Sequence, residues 1–400
     1  MTIQYKQGNA DAPNKSSMGQ QTQDFLFYRK ALVDLQDERF FMPLADVRAM
    51  PKNYGKTIKQ YHYIPLLDDR NVNDQGIDAT GNPTADLNGN LYGSSKDIGT
   101  VVSKFPSLSE TGGRVNRVGY TRKTIEGTIE MLGFFDEFTR ESMDFDSDSM
   151  LEEHLSRESI RGAIKMSEAA LQIDLLNGAG LVKYSGPATQ DDEVSGETAD
   201  LSLVTYEDLV RLNIDLDNAK APKSTKVITG SRMIDTRVVG NARYLYCGSE
   251  MLTTLMRMKD FHEKEAFIAV EHYADAGNVI NGEAGTVAGF RVIIVPDMLH
   301  WAGEGADVVT EGGNGYRSTG DKYDVFPMLF VGSGSFTTIG FQTTDTGGVK
   351  FEIIIKKPGK EQANQSDPFG ELGFHSIRWY YGTMILRPEW LAVQKTVAPM

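Results

Sequence analysis

Cysteine, basic charge and long apolar runs are all scarce in this chain of 400 residues. The single cysteine, Cys247, has no second cysteine to pair with, which excludes an internal disulfide and a cysteine-based zinc site. We expect Cys247 to be a small buried hydrophobic residue. No stretch approaches the roughly 18 consecutive apolar residues of a membrane-spanning helix, and the first residues lack the apolar core of a secretory signal. The composition therefore predicts a protein kept in a cytoplasm-like compartment, unless a larger particle carries it outside.

Basic residues are outnumbered by acidic ones. The chain has 41 Lys plus Arg against 55 Asp plus Glu, which gives a net charge of -14. A field of that sign repels phosphate, so a protein that reads or coats nucleic acid is disfavoured. A container whose inner wall merely tolerates packed DNA remains compatible with the charge.

The length predicts one large domain or two to three closely connected ones. A hydrophobic content of 40% with 24% charged residues is ordinary for a globular protein. The sequence contains no internal repeat and no linker that would separate independent domains. We therefore treat the chain as one continuous body.

The first third of the chain predicts an arm and a projecting hairpin. Residues 1–24 are polar and have almost nothing to bury, whereas 25–35 are apolar enough for a helix, and 45–51 also look helical. Strand-like stretches at 58–67 and 121–135 flank a long segment rich in Gly, Asn, Asp, Ser and Thr. Such long polar excursions are uncommon inside compact domains, so we expect a hairpin that extends from the body.

A long helix is predicted after this hairpin. Ser149 and Glu152 form a capping box, and apolar residues follow at roughly helical spacing as far as Leu175. Gly178 ends the pattern. At ~1.5 Å per residue the helix would be about 40 Å long, which suits a spine for the fold.

The rest of the chain mixes helices with many strands. We predict a helix from Thr205 to just before Pro222, a short strand at 226–229 and a short helix at 248–258. From Thr286 onward the sequence is mainly β-like. This mixture predicts an α+β fold.

No motif selects a catalytic, metal or cofactor site. The run Asp144-x-Asp146-x-Asp148 resembles the start of a calcium loop, but it lacks the glycine and the bidentate glutamate that such a loop requires, and we expect it to stabilise a helix N-terminus. Gly332 and Gly334 are predicted to form a tight turn, not a phosphate loop. The histidines show no zinc spacing; they are His62, His154, His262, His272, His300 and His375. We therefore predict no catalytic residue, no metal and no cofactor.

A group of aromatic residues lies near the end of the chain. Trp379, Tyr380, Tyr381 and Trp390 could in principle bind a sugar or a base. The first three residues have the alternation typical of a strand. Packing in the core or at a subunit interface is therefore favoured over binding of a sugar or a base.

The order of these parts resembles the subunits of tailed-phage capsids with the Hong Kong 97-like fold, and more narrowly the major capsid family typified by coliphage N-four. The stretches that carry the narrower resemblance are Phe41–Asp46, Met50–Lys56, Asn281–Ile293, Ser366–Gly370 with Gly373, and Ile377–Leu391. The resemblance implies an N-terminal arm (1–57), an extended hairpin or E-loop region (58–131), a peripheral domain with the spine helix (132–182), a mainly axial domain (183–345) and a C-terminal β return to both domains (346–400).

The resemblance also implies a function as a major capsid protein. Such subunits form pentamers and hexamers of an icosahedral shell, first as a procapsid and then expanded around double-stranded DNA. The expected partners are other copies of the chain, portal, scaffold and decoration proteins, and DNA held without sequence-specific contacts. No membrane partner is expected. The expected location is the virion capsid, assembled in the host cytoplasm.

Three alternatives remain open from the sequence. An encapsulin-like cargo shell would share the fold but would carry a cargo groove and no packaged genome. A hydrolase would require a carboxylate pair with perturbed pKa values in a deep pocket. A β-rich adhesin or decoration module is disfavoured by the long predicted helix and by the absence of repeats.

Overall fold

A computed structural model describes residues 39–50, 55–66, 119–145, 151–228, 236–239, 243–272, 282–310, 313–341, 351–363, 365 and 367–400. Its α-helices are α1 (Arg140–Phe145), α2 (Leu151–Asn177), α3 (Tyr206–Asn218) and α4 (Leu252–Arg257). Its strands are β1 (Asp46–Met50), β2 (Thr57–Leu66), β3 (Gly119–Thr128), β4 (Glu130–Thr139), β5 (Leu181–Tyr184), β6 (Thr225–Ile228), β7 (Thr236–Val239), β8 (Arg243–Gly248), β9 (Ile268–Ala269), β10 (Glu283–Val287), β11 (Phe290–Val295), β12 (Ser318–Thr319), β13 (Lys322–Tyr323), β14 (Phe326–Val331), β15 (Phe336–Phe341), β16 (Phe351–Lys356), β17 (Leu372–Tyr381), β18 (Thr383–Ile385) and β19 (Leu391–Thr396).

A mixed seven-stranded sheet forms the largest layer of the fold, in the order β5-β19-β14-β8-β11-β10-β9. β8 is parallel to β11 and antiparallel to β14, and β19 is antiparallel to β14 and parallel to β5. Every residue of β8, β14 and β19 is buried. Strands buried on both faces need covering layers on both sides, and the helices provide much of this cover.

The two faces of this sheet carry separate apolar clusters because successive side chains of a strand point to opposite sides. On one face, Leu245 and Cys247 of β8 belong to the cluster that contains Leu209 and Leu212 of α3. On the other face, Tyr244 and Tyr246 belong to a cluster with Phe41 and with residues of α2, namely Leu171 and Leu175. Each face of the sheet is therefore covered by a different helix.

Helix α2 connects this sheet to a second, three-stranded one. Its 27 residues extend over about 40 Å, as expected for a spine. The C-terminal half packs on the seven-stranded sheet through Leu171 and Leu175. The N-terminal half packs through Ile160 and Ala163 on the antiparallel sheet β16-β17-β4. One helix thus supports two sheets.

The predicted hairpin pairing is confirmed at its base. β2 and β3 pair antiparallel over ten residues each, from Thr57 opposite Thr128 to Leu66 opposite Gly119. β3 continues into β4 through Ile129, which is buried against Ile339 and Met384 of the small sheet β1-β15-β18. The hairpin is therefore anchored at the junction of β3 and β4.

The helix predicted at 45–51 is wrong, because residues Asp46–Met50 form strand β1, parallel to β15. A segment enclosed by Pro43 and Pro51 is too short to nucleate a stable helix, and β15 provides a ladder of hydrogen bonds instead. The single strand predicted at 121–135 is divided at Ile129 into β3 and β4.

Other predictions from the sequence are confirmed. Helix α3 begins with a capping box between Thr205 and Asp208, and the region 248–258 contains α4. Gly334 has a φ of 72° in the turn between β14 and β15, and Cys247 is buried. The predicted arm at 1–24, the helix at 25–35, most of the excursion between the hairpin strands, and the capping box at Ser149 lie outside the described residues. Within the described part, no helix is long and apolar enough to cross a membrane.

Candidate assembly surfaces

The outer face of the three-stranded sheet, opposite α2, exposes an unusual amount of apolar surface. The exposed fractions are 56% for Met131, 67% for Phe135, 40% for Ile354 and 37% for Tyr380. In the register, Met131 lies beside Tyr380, while Phe135 and Ile354 flank Ser376. Large apolar side chains clustered on one face mark a contact surface, whereas isolated ones carry no such meaning. We call this set of four residues the outer sheet patch.

The polar groups on the same face are paired across the strands. The guanidinium of Arg378 on β17 donates to both carboxylate oxygens of Glu352 on β16, at 2.8 Å each. This bidentate geometry fixes the orientation of the two side chains relative to each other. An apolar patch with satisfied polar groups at its side has the composition of a protein–protein interface.

The inner face of the same sheet is closed against α2. Trp379 is 3% exposed and Ile377 is 1% exposed, and Phe134 packs edge-on against Trp379 with ring centroids 6.0 Å apart. Ile377 and Trp379 belong to one buried cluster with Ala163 of α2. The alternation along β17 thus separates a core face from an exposed face.

One buried histidine lies in this inner layer. Nδ1 of His375 shares a hydrogen bond of 3.2 Å with the hydroxyl of Ser159 on α2, and its buried Nε2 has no hydrogen-bond partner among the described residues. Burial lowers the pKa of His375, and the nearby carboxylate of Asp136 opposes that shift only partly. The side chain is therefore a neutral imidazole that joins helix to sheet.

The hairpin strands expose a polar face. Lys59 of β2 forms an ion pair with Glu126 of β3, and this hydrogen bond raises the pKa of Lys59. The guanidinium of Arg122 lies over the ring of Tyr61, 4.6 Å from its centroid, and Tyr61 is 52% exposed. This face can make charged and aromatic contacts with another subunit.

The segment before β1 is held on the spine helix. The carboxylate of Glu168 on α2 accepts hydrogen bonds from the backbone N–H groups of Phe41 at 3.3 Å and Met42 at 3.2 Å. The ring of Phe41 is 2% exposed and lies 4.9 Å from that of Tyr246. The chain thus enters the body at a defined point.

The end of the spine helix is attached to the strands that follow β17. Asp174 accepts a hydrogen bond of 2.7 Å from the hydroxyl of Tyr381 and another from Thr383. Burial, followed by this bond to Asp174, raises the pKa of Tyr381. Glu168 and Asp174 thus both attach the C-terminal half of α2 to other segments through polar contacts.

The residues considered as sites from the sequence are not brought together. In the described part, no group of three or more His, Cys, Asp or Glu residues could hold a metal ion. Asp144 is hydrogen-bonded to Arg140 at 3.3 Å, while Asp146 and Asp148 lie outside the described residues. Of the aromatic group, Trp379 is in the core, Tyr380 is on the outer sheet patch, and Trp390 donates to the carbonyl of Ala219 at 3.0 Å.

The outer sheet patch was not identified from the sequence. The sequence feature that could have revealed this patch is the pattern of β4. In this strand Met131 and Phe135 share one face, while Leu132 and Phe134 share the other. A strand that is apolar on both faces requires a second covering layer, and α2 covers only one. The registers of β16 and β17, which bring Ile354 and Tyr380 to the same face, are visible only in the structure.

Comparison with known proteins places these features in one family. The chain is 56% identical over 397 residues to the major capsid protein of Pseudomonas phage KPP21, with 98% of both chains covered. Two solved structures have the same fold at low identity. The mature capsid of bacteriophage PhiM1 gives a TM-score of 0.51 at 9% identity, with 94% of this chain and 92% of that chain covered. The capsid of Ralstonia phage GP4 gives 0.50 at 11% identity, with 98% and 99% covered.

These likenesses confirm the predicted α+β, Hong Kong 97-like capsid fold. The hydrolase alternative is not supported, because the relative is a structural protein. The narrower resemblance to the coliphage N-four type stays a prediction. A family model described as "Phage capsid protein" matches residues 122–396. The chain therefore belongs to the phage capsid protein family.

Proposed function

We propose that this chain is the major capsid protein of a tailed phage, and that it assembles into pentamers and hexamers of an icosahedral shell around double-stranded DNA. The observation that carries the proposal is the outer sheet patch, whose apolar side chains face away from α2. The capsid relatives support it. The identity to a phage capsid protein favours it over an encapsulin-like shell.

The five regions expected from the resemblance are proposed for this chain as well. The pairing of β2 with β3 supports an extended hairpin within 58–131, and α2 with the three-stranded sheet supports a peripheral domain that begins at 132. The seven-stranded sheet supports an axial domain mainly within 183–345. β16 and β17 belong to the three-stranded sheet, and β19 belongs to the seven-stranded sheet. This supports a C-terminal return to both domains.

The shell would be held by many weak contacts acting together. Without a disulfide, each interface depends on buried apolar area and on ion pairs. Contacts that are weak singly become strong when a closed ring or shell repeats them, because each later contact forms at a high effective concentration. The net charge of -14 keeps free subunits apart in solution until specific contacts form.

The finer partners belong to the same proposal. A scaffold, a portal and decoration proteins would contact the shell, and DNA would be enclosed without sequence-specific contacts, since the acidic chain offers little attraction for phosphate. Assembly would take place in the host cytoplasm, and the mature protein would reside in the virion.

The test is to express the chain and examine it by negative-stain electron microscopy and size-exclusion chromatography. We expect rings of five or six subunits, partial shells or closed shells. The double variant Phe135→Ser and Ile354→Ser should fold but lose these assemblies, because it removes apolar contact area from the outer sheet patch. A matched control, Val309→Ser and Ile214→Ser, changes two exposed residues elsewhere, 84% and 53% exposed. A strictly monomeric wild-type chain at high concentration would contradict the proposal.

A further inference from the structure

A groove opens on a part of the molecule that is separate from the outer sheet patch. It lies between the N-terminus of α3, the C-terminal end of α4 and the last residues of the chain. Its walls include Thr205, Tyr206, Thr254, Arg257 and Pro399. Its volume of about 370 Å³ is enough for a few side chains of a polypeptide segment.

Two cations line this groove. Arg257 and Lys259 are exposed, and the described residues provide neither of them with an ion pair. Cations that the described residues leave without an ion pair are notable in a chain with 14 more acidic than basic residues. A groove lined by two such cations attracts carboxylates.

The carboxylates adjacent in sequence are engaged elsewhere. Glu207 pairs with Arg211, and Asp208 completes the capping box with Thr205. Asp260 accepts from the backbone N–H groups of His262 at 2.8 Å and Lys264 at 2.9 Å. None of these three carboxylates forms an ion pair with Arg257 or Lys259.

Two exposed apolar residues, which we call the rim, lie next to residues that line the groove. Met256 is 51% exposed, and Phe261 is 66% exposed and packs edge-on against Tyr206 with ring centroids 5.2 Å apart. An apolar rim beside two cations matches the arrangement of a protein interface, in which apolar contacts supply affinity and charges select the partner.

We propose that this groove receives a carboxylate-bearing segment of a second copy of the chain. The excess of acidic residues gives every copy a surface complementary to Arg257 and Lys259. A ring closes by head-to-tail contacts, in which one surface of a subunit meets a different surface of the next, and the groove supplies one half of such a contact. The inference rests on the proposed function. DNA is disfavoured as the occupant because the described lining of the groove holds two cations and the chain as a whole is acidic.

The first test reverses the two charges with Arg257→Glu and Lys259→Glu. We expect a folded chain, judged by circular dichroism, whose yield of rings and shells is reduced about tenfold or more, because the defect repeats at every interface. The double variant Arg257→Lys and Lys259→Arg keeps the charges and should assemble. The matched control Lys322→Glu and Lys360→Glu makes the same change of charge at exposed positions outside the groove lining.

The second test identifies the occupant. A photo-activated cross-linker placed at Thr254 in the assembled particle should join two copies of the chain, and mass spectrometry should locate the link in an acidic segment. A folded reversal variant that assembles like the wild type would overturn the inference while leaving the proposed function intact. A cross-link to DNA, or a reversal that lowers only DNA content, would also overturn it. A wild-type chain that never assembles would overturn the proposed function and this inference together.

Discussion

The ammonium group of Lys395 lies 2.6 Å and 2.7 Å from the two carboxylate oxygens of Asp191. It also lies 4.3 Å from the centroid of the Trp301 ring. Lys395 is on β19, whose residues are all buried, and its side chain is 11% exposed. The pair therefore attaches the loop after β5 to an inner strand of the seven-stranded sheet.

Removal of the charge of Asp191 should destabilise the subunit. Asp191→Asn leaves the ammonium of Lys395 without its anion, and we expect a loss of about 1–3 kcal/mol in the free energy of unfolding, measured with urea. Asp192→Asn is the control, because Asp192 is exposed and its removal leaves the ion pair intact. Equal stability of the two variants would contradict the role given to the pair.

Glu197 should make the subunit sensitive to acid. Hydrogen bonds from Thr310, followed by one from Tyr323, lower the pKa of Glu197 from 4.5 to about 2. A lowered pKa stabilises the folded state above the unfolded value, so this contribution is lost as the pH falls from 4.5 towards about 2. Compared with the wild type, the Glu197→Gln variant should have a lower free energy of unfolding at neutral pH. It should also take up about one proton fewer when it unfolds in acid.

This acid effect is checked by unfolding curves recorded as a function of pH. Glu193→Gln is an informative comparison, since hydrogen bonds from Thr189 lower the pKa of Glu193 within its own loop only. An unchanged pH dependence in Glu197→Gln would contradict the assignment.

His375 should destabilise the subunit at mildly acidic pH. Burial holds the pKa of His375 below 6.5, so the unfolded chain binds the proton more readily than the folded one. Stability therefore falls as the pH drops below 6.5 towards the folded pKa. His375→Gln should lose less stability than the wild type between about pH 7.5 and 5.5 in denaturant unfolding.

Cys247 should be chemically inert in the folded subunit. Burial raises the pKa of its thiol to about 12, and the thiolate is the reactive species. We expect no labelling by a thiol reagent near pH 8 until denaturant is added, and then one thiol per chain. Rapid labelling of the folded protein would contradict the burial of Cys247.

The two faces of the three-stranded sheet should respond differently to the same substitution. Ile377→Ala removes a buried side chain packed against α2, and we expect a loss of about 2–5 kcal/mol in unfolding free energy. Ile354→Ala, on the outer sheet patch, should change subunit stability by less than about 0.5 kcal/mol. Urea unfolding of both variants checks this, and equal losses would contradict the division into inner and outer faces.

Local patterns were sufficient to predict several elements. α3 has a capping box at Thr205 and leucines at helical spacing, and α2 has the apolar stripe of a long helix. β2 lies in a stretch of β-rich composition, β3 lies in a stretch with strand-like alternation, and the two flank a polar segment. These signals are contained within single segments, so the sequence alone reveals them.

Long-range pairing could not be predicted in the same way. β19 contains Gln394 and Lys395, so its sequence is not typical of a buried strand. It is nevertheless an inner strand, and these two side chains are hydrogen-bonded to Ser185 and Asp191. β1 is a strand only because β15 offers a parallel partner. The role of α2 as a support for two sheets likewise depends on contacts between distant segments.

Two hydrogen bonds attach residues 41 and 42 to Glu168 of helix α2, and their donor and acceptor ends differ in sensitivity to mutation. At positions 41 and 42 the donors are backbone N–H groups, so any residue except proline supplies them. At position 168 the acceptor is the side chain itself. Natural sequence drift can therefore alter residues 41 and 42 without loss of these two hydrogen bonds, whereas a change of Glu168 to a side chain without an acceptor oxygen releases both at once.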